Sequence, residues 1–289
     1  MPTDPHPAPA PSAPAPSASA APTTAALPPL EFASRSIAGS TAIVTGAASG
    51  MGRATAVLFA LEGAHVVLAD RELDPLAEVI EEIEALAPTA RALAVPCDVS
   101  RPDDLTALVD TAVEQFGGID LLVNNAGVSR RNSVAQDDAE FERVWQEVLD
   151  INLTAHVRLV RRALPHLRES AHGRVVNIAS TEALVSQAGL LSYSATKAGV
   201  IGITRSLAIE LAESGTTVNA ICPGPIETGM TSKYPAEGKA KYARRRVPMR
   251  RYGRPEEVAQ MTLNLCLPAS SYVTGTVIPV DGGMSMFHV

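Results

Sequence analysis

A doubly wound parallel sheet of about seven strands, covered by helices on both faces, is the α/β fold this sequence predicts. Three observations predict it. Short apolar runs of four to six residues alternate with helix-like stretches of a dozen or so. Several of these runs end on Gly, Asp or Asn, the residues that turn a chain at the edge of a sheet. Hydrophobic residues make up 46% of the chain but aromatics only 4%. Alanine and aliphatic side chains must therefore fill the core, as close helix-on-sheet packing requires.

The elements follow in order. Ala42–Thr45 is the first strand, ending at Gly46, and Gly52–Leu61 is the helix after it. His65–Ala69 runs to Asp70, then helix-like Asp74–Leu86, strand-like Ala92–Cys97 and helix-like Pro102–Phe116. Ile119–Val123 closes on Asn124-Asn125-Ala126-Gly127. One long helical pattern covers Phe141 to about Ser170, followed by the strand Arg174–Ile178. A helix opens near Ser192 and reaches Ala212; Thr216–Ile221 and Thr276–Val280 are the last two strands. Strand–helix alternation at this spacing implies right-handed crossovers and a parallel sheet buried on both faces. A single domain over residues 38–289 accommodates all of it.

Residues 1–33 are different: they hold ten of the 22 prolines, mixed with Ala, Ser and Thr. Such a segment buries too little apolar surface to offset its ordering entropy, so a disordered tail is expected. It lacks the features of a secretory or transit signal. The net charge of −7 argues against nucleic-acid or membrane-surface binding. No apolar run is long enough to span a bilayer. Cys97, Cys222 and Cys266 are widely spaced and read as buried thiols of a reducing, cytoplasmic compartment. The histidines show no ligand spacing, so no metal site is expected.

Three motifs carry chemistry. Gly46-Ala-Ala-Ser49-Gly50-Met51-Gly52 sits between a strand and a helix, where glycines let the backbone turn tightly against a pyrophosphate. Asp70 follows Gly52 by 18 residues, near the ~20 expected of the acid that grips an adenosine ribose in a Rossmann-type dinucleotide site. The Asn124–Gly127 turn lies at the carboxyl edge of the sheet, where ligands of such sheets bind, although Asn and Gly also favour ordinary turns. Tyr193 and Lys197, four apart on a helix, share a face. A cationic neighbour favours phenolate, which predicts a tyrosine pKa pulled down from about 10.

Ser180 precedes Tyr193 by 13 residues, and Asn152 lies in Asp150-Ile-Asn-Leu153. With Cys97-Asp98-Val99, Asn177-Ile-Ala-Ser180, Pro223-Gly224-Pro-Ile226, Tyr272-Val-Thr-Gly275 and Val280-Asp-Gly-Gly283, the chain resembles the short-chain dehydrogenase/reductase family from about residue 38 to its end. The resemblance implies a catalytic set: Tyr193 as general acid or base, Lys197 lowering its pKa and binding the nicotinamide ribose, Ser180 as oxyanion donor, and Asn152 holding a relay water. It implies that Asp98 and Val99 lie at the adenine, and that Asn124, Asn125, Ala126 and Gly127 run along the cofactor. Pro223, Gly224, Ile226 and Thr228 would stand at the nicotinamide end. It also implies a homotetramer built through the two long helices and the last strand.

Asp70 favours NAD over NADP, and the resemblance adds Ser49, which stands where members preferring NADPH commonly carry a basic residue; Arg71 is the residue able to accommodate a 2′-phosphate. On the substrate side, Lys233 to Arg254 holds nine basic residues against one acid, Glu237. The family places a lid there, at about 228–252. A solvated helix face explains this asymmetry; so does an anionic small-molecule substrate steered by Arg244, Arg245 and Arg246. Arg130 and Arg131 could join such a rim. Glu182, Gln187 and Met230 are candidate substrate contacts, with Leu184 and Leu190 as further pocket residues. The chain also resembles 3-oxoacyl-carrier-protein reductases, but the two basic positions those enzymes use on the carrier read Ala171 and Ser214 here. Oxidoreduction of a secondary alcohol and its ketone with NAD is the expected activity. Reduction of an acyl thioester is the alternative, and a non-catalytic cofactor-binding regulator a remote one.

Overall fold

The computed structural model describes residues 30–287. The expected disordered tail falls almost wholly outside these residues. The compact body begins at Ala33.

Seven parallel strands form one sheet in the order β3-β2-β1-β4-β5-β6-β7. They are β1 (Thr41–Thr45), β2 (His65–Asp70), β3 (Ala92–Pro96), β4 (Leu121–Asn124), β5 (Arg174–Ile178), β6 (Thr217–Pro223) and β7 (Val277–Val280). The main helices are α1 (Gly50–Leu61), α2 (Leu73–Leu86), α3 (Pro102–Phe116), α4 (Asp138–Leu149), α5 (Ala155–Glu169), α6 (Leu191–Leu211), α7 (Gly229–Ser232), α8 (Ala236–Arg246) and α9 (Pro255–Cys266). Every residue of β1, β4, β5 and β6 is buried, as expected where helices cover both faces. Side chains alternate across the sheet. Ala42, Val44, Val66, Leu68, Leu121 and Val123 join the core on the α1, α2 and α9 side. Ile43, Val67, Leu122, Val175 and Val218 join the core against α3 and α5.

The strand order reverses direction between β1 and β4. Loops leaving the carboxyl ends of these neighbours diverge, which opens a crevice for a ligand at that edge.

The long helix expected from Phe141 to Ser170 is two helices, α4 and α5, joined by a π-helical turn over Asp150–Thr154. A π-turn inserts one residue into the helical ladder and frequently marks a functional position. Here it presents Asn152 inward, with no solvent exposure. Gly199 of α6 makes the approach possible: a Cβ there would meet the Leu153 side chain at 2.9 Å. Its smallness is thus explained within the chain, as is that of Ala208, which is buried; a Cβ at Gly202 would meet nothing. No described helix is long and apolar enough to cross a membrane.

Candidate active site

Two connected cavities occupy the carboxyl edge of the sheet. The smaller, about 290 Å³, is lined by Gly46, Ser49, Gly50, Met51, Asp70, Arg71, Cys97, Asp98, Val99, Asn125, Ala126, Gly127 and Thr228, among others. The larger, about 490 Å³, shares Met51, Asn125, Gly127, Thr228 and Met230 with it and adds Ser180, Glu182, Gln187, Leu190, Tyr193, Lys197, Pro223, Gly224 and Ile226. Together they make one slot from Asp70 to Tyr193.

The lining of the first cavity suits the adenosine and pyrophosphate end of a dinucleotide. Gly46 has φ +66° and Gly50 φ +55°, a region that side chains other than glycine's rarely tolerate. A Cβ at Gly46 would lie 2.9 Å from Ala126 Cα, so the bare backbone is what keeps the cradle open. Asp70 is fixed at its end of the slot. Its Oδ2 accepts from Ala48 N at 3.1 Å and its Oδ1 from Arg71 N at 2.8 Å. Each oxygen keeps capacity for a further donor.

Two expected cofactor residues sit elsewhere. A Cβ on Gly52 would be 2.1 Å from Gly46 O and 2.5 Å from Asn125 Nδ2, so this glycine packs the helix under the turn and does not line the slot. Asn124 is buried and donates from Nδ2 to Asn177 Oδ1 at 2.8 Å, tying β4 to β5. Asn125 is the residue that faces the slot; its Nδ2 donates to Thr45 O at 2.8 Å and Gly46 O at 3.1 Å.

The second cavity gathers the reactive groups. Ser180 ends β5's loop and caps a short helical turn, its Oγ accepting from Glu182 N at 3.1 Å. It lines the same cavity as Tyr193, whose pKa it acts to lower. Lys197 is 3% exposed and donates from Nζ to Ile178 O at 2.7 Å; the same Nζ lies 5.9 Å from the Tyr193 ring centre. Asn152 is close behind: a Cβ on Gly127 would stand 3.2 Å from Asn152 Oδ1 and 3.5 Å from Lys197 Nζ.

The electrostatics depart from the sequence expectation. Burial pushes the Tyr193 pKa up, and the Glu182 carboxylate and Cys222 push the same way, against the lowering influence of the neighbouring Ser180 hydroxyl. Lys197 does not reverse this, because its ammonium is itself desolvated and turned to the Ile178 carbonyl. Burial brings the lysine down to about 8. His156, one turn beyond Asn152, is held neutral: burial and then the Lys197 charge push its pKa down to about 3.

Asn152 differs too. Both ends of its amide bind the Val128 backbone, at 2.8 and 2.9 Å, and the side chain lines neither cavity.

The basic residues are mostly elsewhere. Arg244, Arg245 and Arg246 are exposed on α8 and absent from the cavity wall. Arg130 pairs with Glu147 at 3.0 Å, and Leu184 is 43% exposed and outside the wall. Only Lys233 and Lys239 reach it from the basic segment, and Lys239 pairs with Glu227. Tyr234, Tyr242 and Tyr252 line the cavity unforeseen. The signal was present: three tyrosines fall within residues 234–252 of a chain that is 4% aromatic. Among the described residues no cluster of His, Cys, Asp and Glu is arranged to hold a metal.

A family model described as enoyl-(acyl carrier protein) reductase matches residues 46–285. The 3-oxoacyl-[acyl-carrier-protein] reductase FabG of Thermotoga maritima is 39% identical over 246 residues, covering 85% of this chain and 98% of the relative. The chain belongs to the short-chain dehydrogenase/reductase family. It is an oxidoreductase of that family, whose members use a nicotinamide cofactor. The cis-4-hydroxycyclohexanecarboxylate dehydrogenase of Sinomonas cyclohexanicum is 41% identical, covering 84% of this chain and 95% of its own length. Among solved structures, levodione reductase superposes with a TM-score of 0.81 at 34% identity, covering 87% of this chain and 99% of that one. The short-chain dehydrogenase/reductase fold accounts for the seven-stranded order and for the slot at its carboxyl edge.

Proposed function

We propose that this enzyme interconverts a secondary alcohol and its ketone with NAD(H), Tyr193 serving as general acid and base. The observation that carries the reading is Ser180, Tyr193 and Lys197 on the wall of one cavity, with Lys197 Nζ 5.9 Å from the Tyr193 ring centre. Gly46, Ser49, Gly50, Met51, Asp70, Arg71, Asp98, Val99, Asn125, Ala126 and Gly127 would hold the adenosine and pyrophosphate. Tyr193, Lys197, Pro223, Gly224, Ile226 and Thr228 would hold the nicotinamide half. When bound, that ring supplies or takes the hydride at the carbon bearing the oxygen. In the oxidising direction Tyr193 takes the hydroxyl proton; in the reducing direction it returns one to the carbonyl oxygen. Ser180 donates to the oxygen as negative charge develops there. Lys197 favours phenolate once its ammonium is engaged near the ring. Asn152 holds the Val128 loop in place. The segment over about 228–252 acts as the lid.

Asp70 supports NAD over NADP, since a fixed carboxylate accepts from a 2′-hydroxyl and repels a 2′-phosphate. The name of the Sinomonas relative supports a cyclic alcohol. The buried free cysteines support a reducing, cytoplasmic setting, and the exposed Ile209 and Tyr272 support a homotetramer. A second reading, reduction of a 3-oxoacyl thioester, draws on the FabG similarity; Ala171 and Ser214 speak against it.

The test is absorbance at 340 nm with NAD across secondary alcohols, with Tyr193→Phe as control. A loss of about 10²-fold or more in the variant is expected. Turnover that survives the substitution would refute the mechanism, and activity confined to acyl thioesters with NADPH would favour the second reading.

A further inference from the structure

Four of the chain's five tyrosines line the 490 Å³ cavity: Tyr193, Tyr234, Tyr242 and Tyr252. Tyr242 and Tyr252 meet edge to face with ring centres 6.2 Å apart, a firm aromatic surface suited to a flat or cyclic body. The same wall carries one carboxylate, Glu182, which is 8% exposed. Gln187 holds it twice, its N–H donating to Oε2 at 3.1 Å and its Nε2 to Oε1 at 2.8 Å. Glu182 forms no ion pair among the described residues. A carboxylate has about four acceptor sites, so capacity remains for a donor from the cavity.

Charge narrows the donor. An anionic group beside Glu182 would meet a buried like charge, which is costly. A cationic one would meet Lys197 and Lys233, which line the same cavity. A neutral hydroxyl suits both.

We propose that Glu182, oriented by Gln187, selects a neutral ring-shaped alcohol carrying a second hydroxyl. That second hydroxyl donates to Glu182 while the reacting one faces Ser180 and Tyr193, and Tyr242 and Tyr252 pack the ring. The assignment rests on the alcohol-dehydrogenase reading above and adds to it the class of substrate.

The experiment compares kcat/KM with NAD for cyclohexanol, cyclohexane-1,3-diol, cyclohexane-1,4-diol and 4-hydroxycyclohexanecarboxylate, in wild type and Glu182→Gln. At least one diol should exceed cyclohexanol by about 10- to 100-fold, the range for one hydrogen bond to a charged group. The ratio should collapse toward one in Glu182→Gln, a change that a merely structural glutamate would not produce. Should that variant fail to fold, the wild-type ratio alone decides. Equal turnover of cyclohexanol and both diols overturns the assignment while leaving the dehydrogenase reading intact. Preference for the carboxylate overturns it in favour of an anionic substrate. Oxidation of none of the four, by protein that binds NADH as judged by fluorescence, overturns both the assignment and the cyclic-alcohol reading beneath it.

Discussion

The Asn152 amide brackets the Val128 backbone, accepting from its N–H at 2.8 Å and donating to its carbonyl at 2.9 Å. The loop that follows β4 is thereby fixed to the π-turn between α4 and α5. Gly127, one residue before Val128, lines the slot. Asn152 thus positions the stretch of slot wall that lies against Lys197.

Replacing Asn152 with Ala leaves the partly buried Val128 N–H and C=O without their side-chain partner. With water from the adjoining cavity able to replace part of it, a loss of about 1–2 kcal/mol is expected in denaturant melts. Cofactor affinity should fall as the loop loosens, measured by NADH fluorescence. A variant as stable as wild type with unchanged cofactor binding would mean that the loop is held by other contacts.

Lys197 carries a stability cost. Its pKa is lowered from 10.5 to about 8, so the folded state disfavours its charge. Below pH 8 both states are charged and the full penalty, about 3 kcal/mol for such a shift, is present. Between about 8 and 10.5 the folded form loses its proton first, and stability rises with pH. Lys197→Met should therefore melt higher than wild type at pH 7, with the gap narrowing toward pH 10, while turnover is lost. The Ile178 carbonyl left unpaired offsets part of the gain. A lower melting temperature at pH 7 would refute the account.

Glu182 raises the pKa of Tyr193 through its charge. Oxidation needs the phenolate, so kcat/KM for the alcohol should climb with pH, following the ionisation of the free enzyme. Removing the charge in Glu182→Gln should move that climb to lower pH. A shift to higher pH would show that the two groups are not coupled in this sense.

Much of this was legible in the sequence, because it rests on local periodicity and short motifs. The seven strands follow apolar runs whose alternation survives folding; Ser180 follows the end of β5, and Tyr193 and Lys197 lie in the first two turns of α6. The break at Asp150–Thr154 was not legible: a π-turn leaves the amphipathic pattern intact. Gly52 and Asn124 matched a cofactor motif by spacing, yet only contacts separate a glycine under a turn from one that lines it. The pKa of Tyr193 was misjudged for a similar reason. Sequence gives the neighbour at four residues, whereas desolvation and the direction of Lys197 Nζ are properties of packing. Charge counting likewise grouped Arg244, Arg245 and Arg246 with Lys233, although the arginines fall outside the cavity wall.

Asp70 has two backbone partners, Ala48 N and Arg71 N, and both would be freed by Asp70→Ser. Free N–H groups beside the Arg71 guanidinium suit a 2′-phosphate. The variant should bind NADH about tenfold or more weakly, a loss in keeping with one charge-assisted hydrogen bond, and gain affinity for NADPH. Fluorescence titration with the two reduced cofactors measures both. Unchanged discrimination would remove Asp70 from the specificity site.

Gly52 gives the sharpest steric test. A Cβ at 2.1 Å from the Gly46 carbonyl oxygen and 2.5 Å from Asn125 Nδ2 has no room, and the first of these neighbours is backbone, which cannot rotate aside. Gly52→Ala must push α1 away from the turn or distort the turn itself. Helix propensity favours alanine by about 1 kcal/mol, but overpacking against backbone costs about 1–3 kcal/mol or more, so destabilisation should win. Asn125 would lose its hold on Thr45 and Gly46, and NADH affinity should drop although residue 52 does not line the slot. Gly202→Ala is the internal comparison, since its Cβ would meet nothing within the chain. If Gly52→Ala melted at or above the temperature of Gly202→Ala, the close packing of α1 under the turn would be wrong.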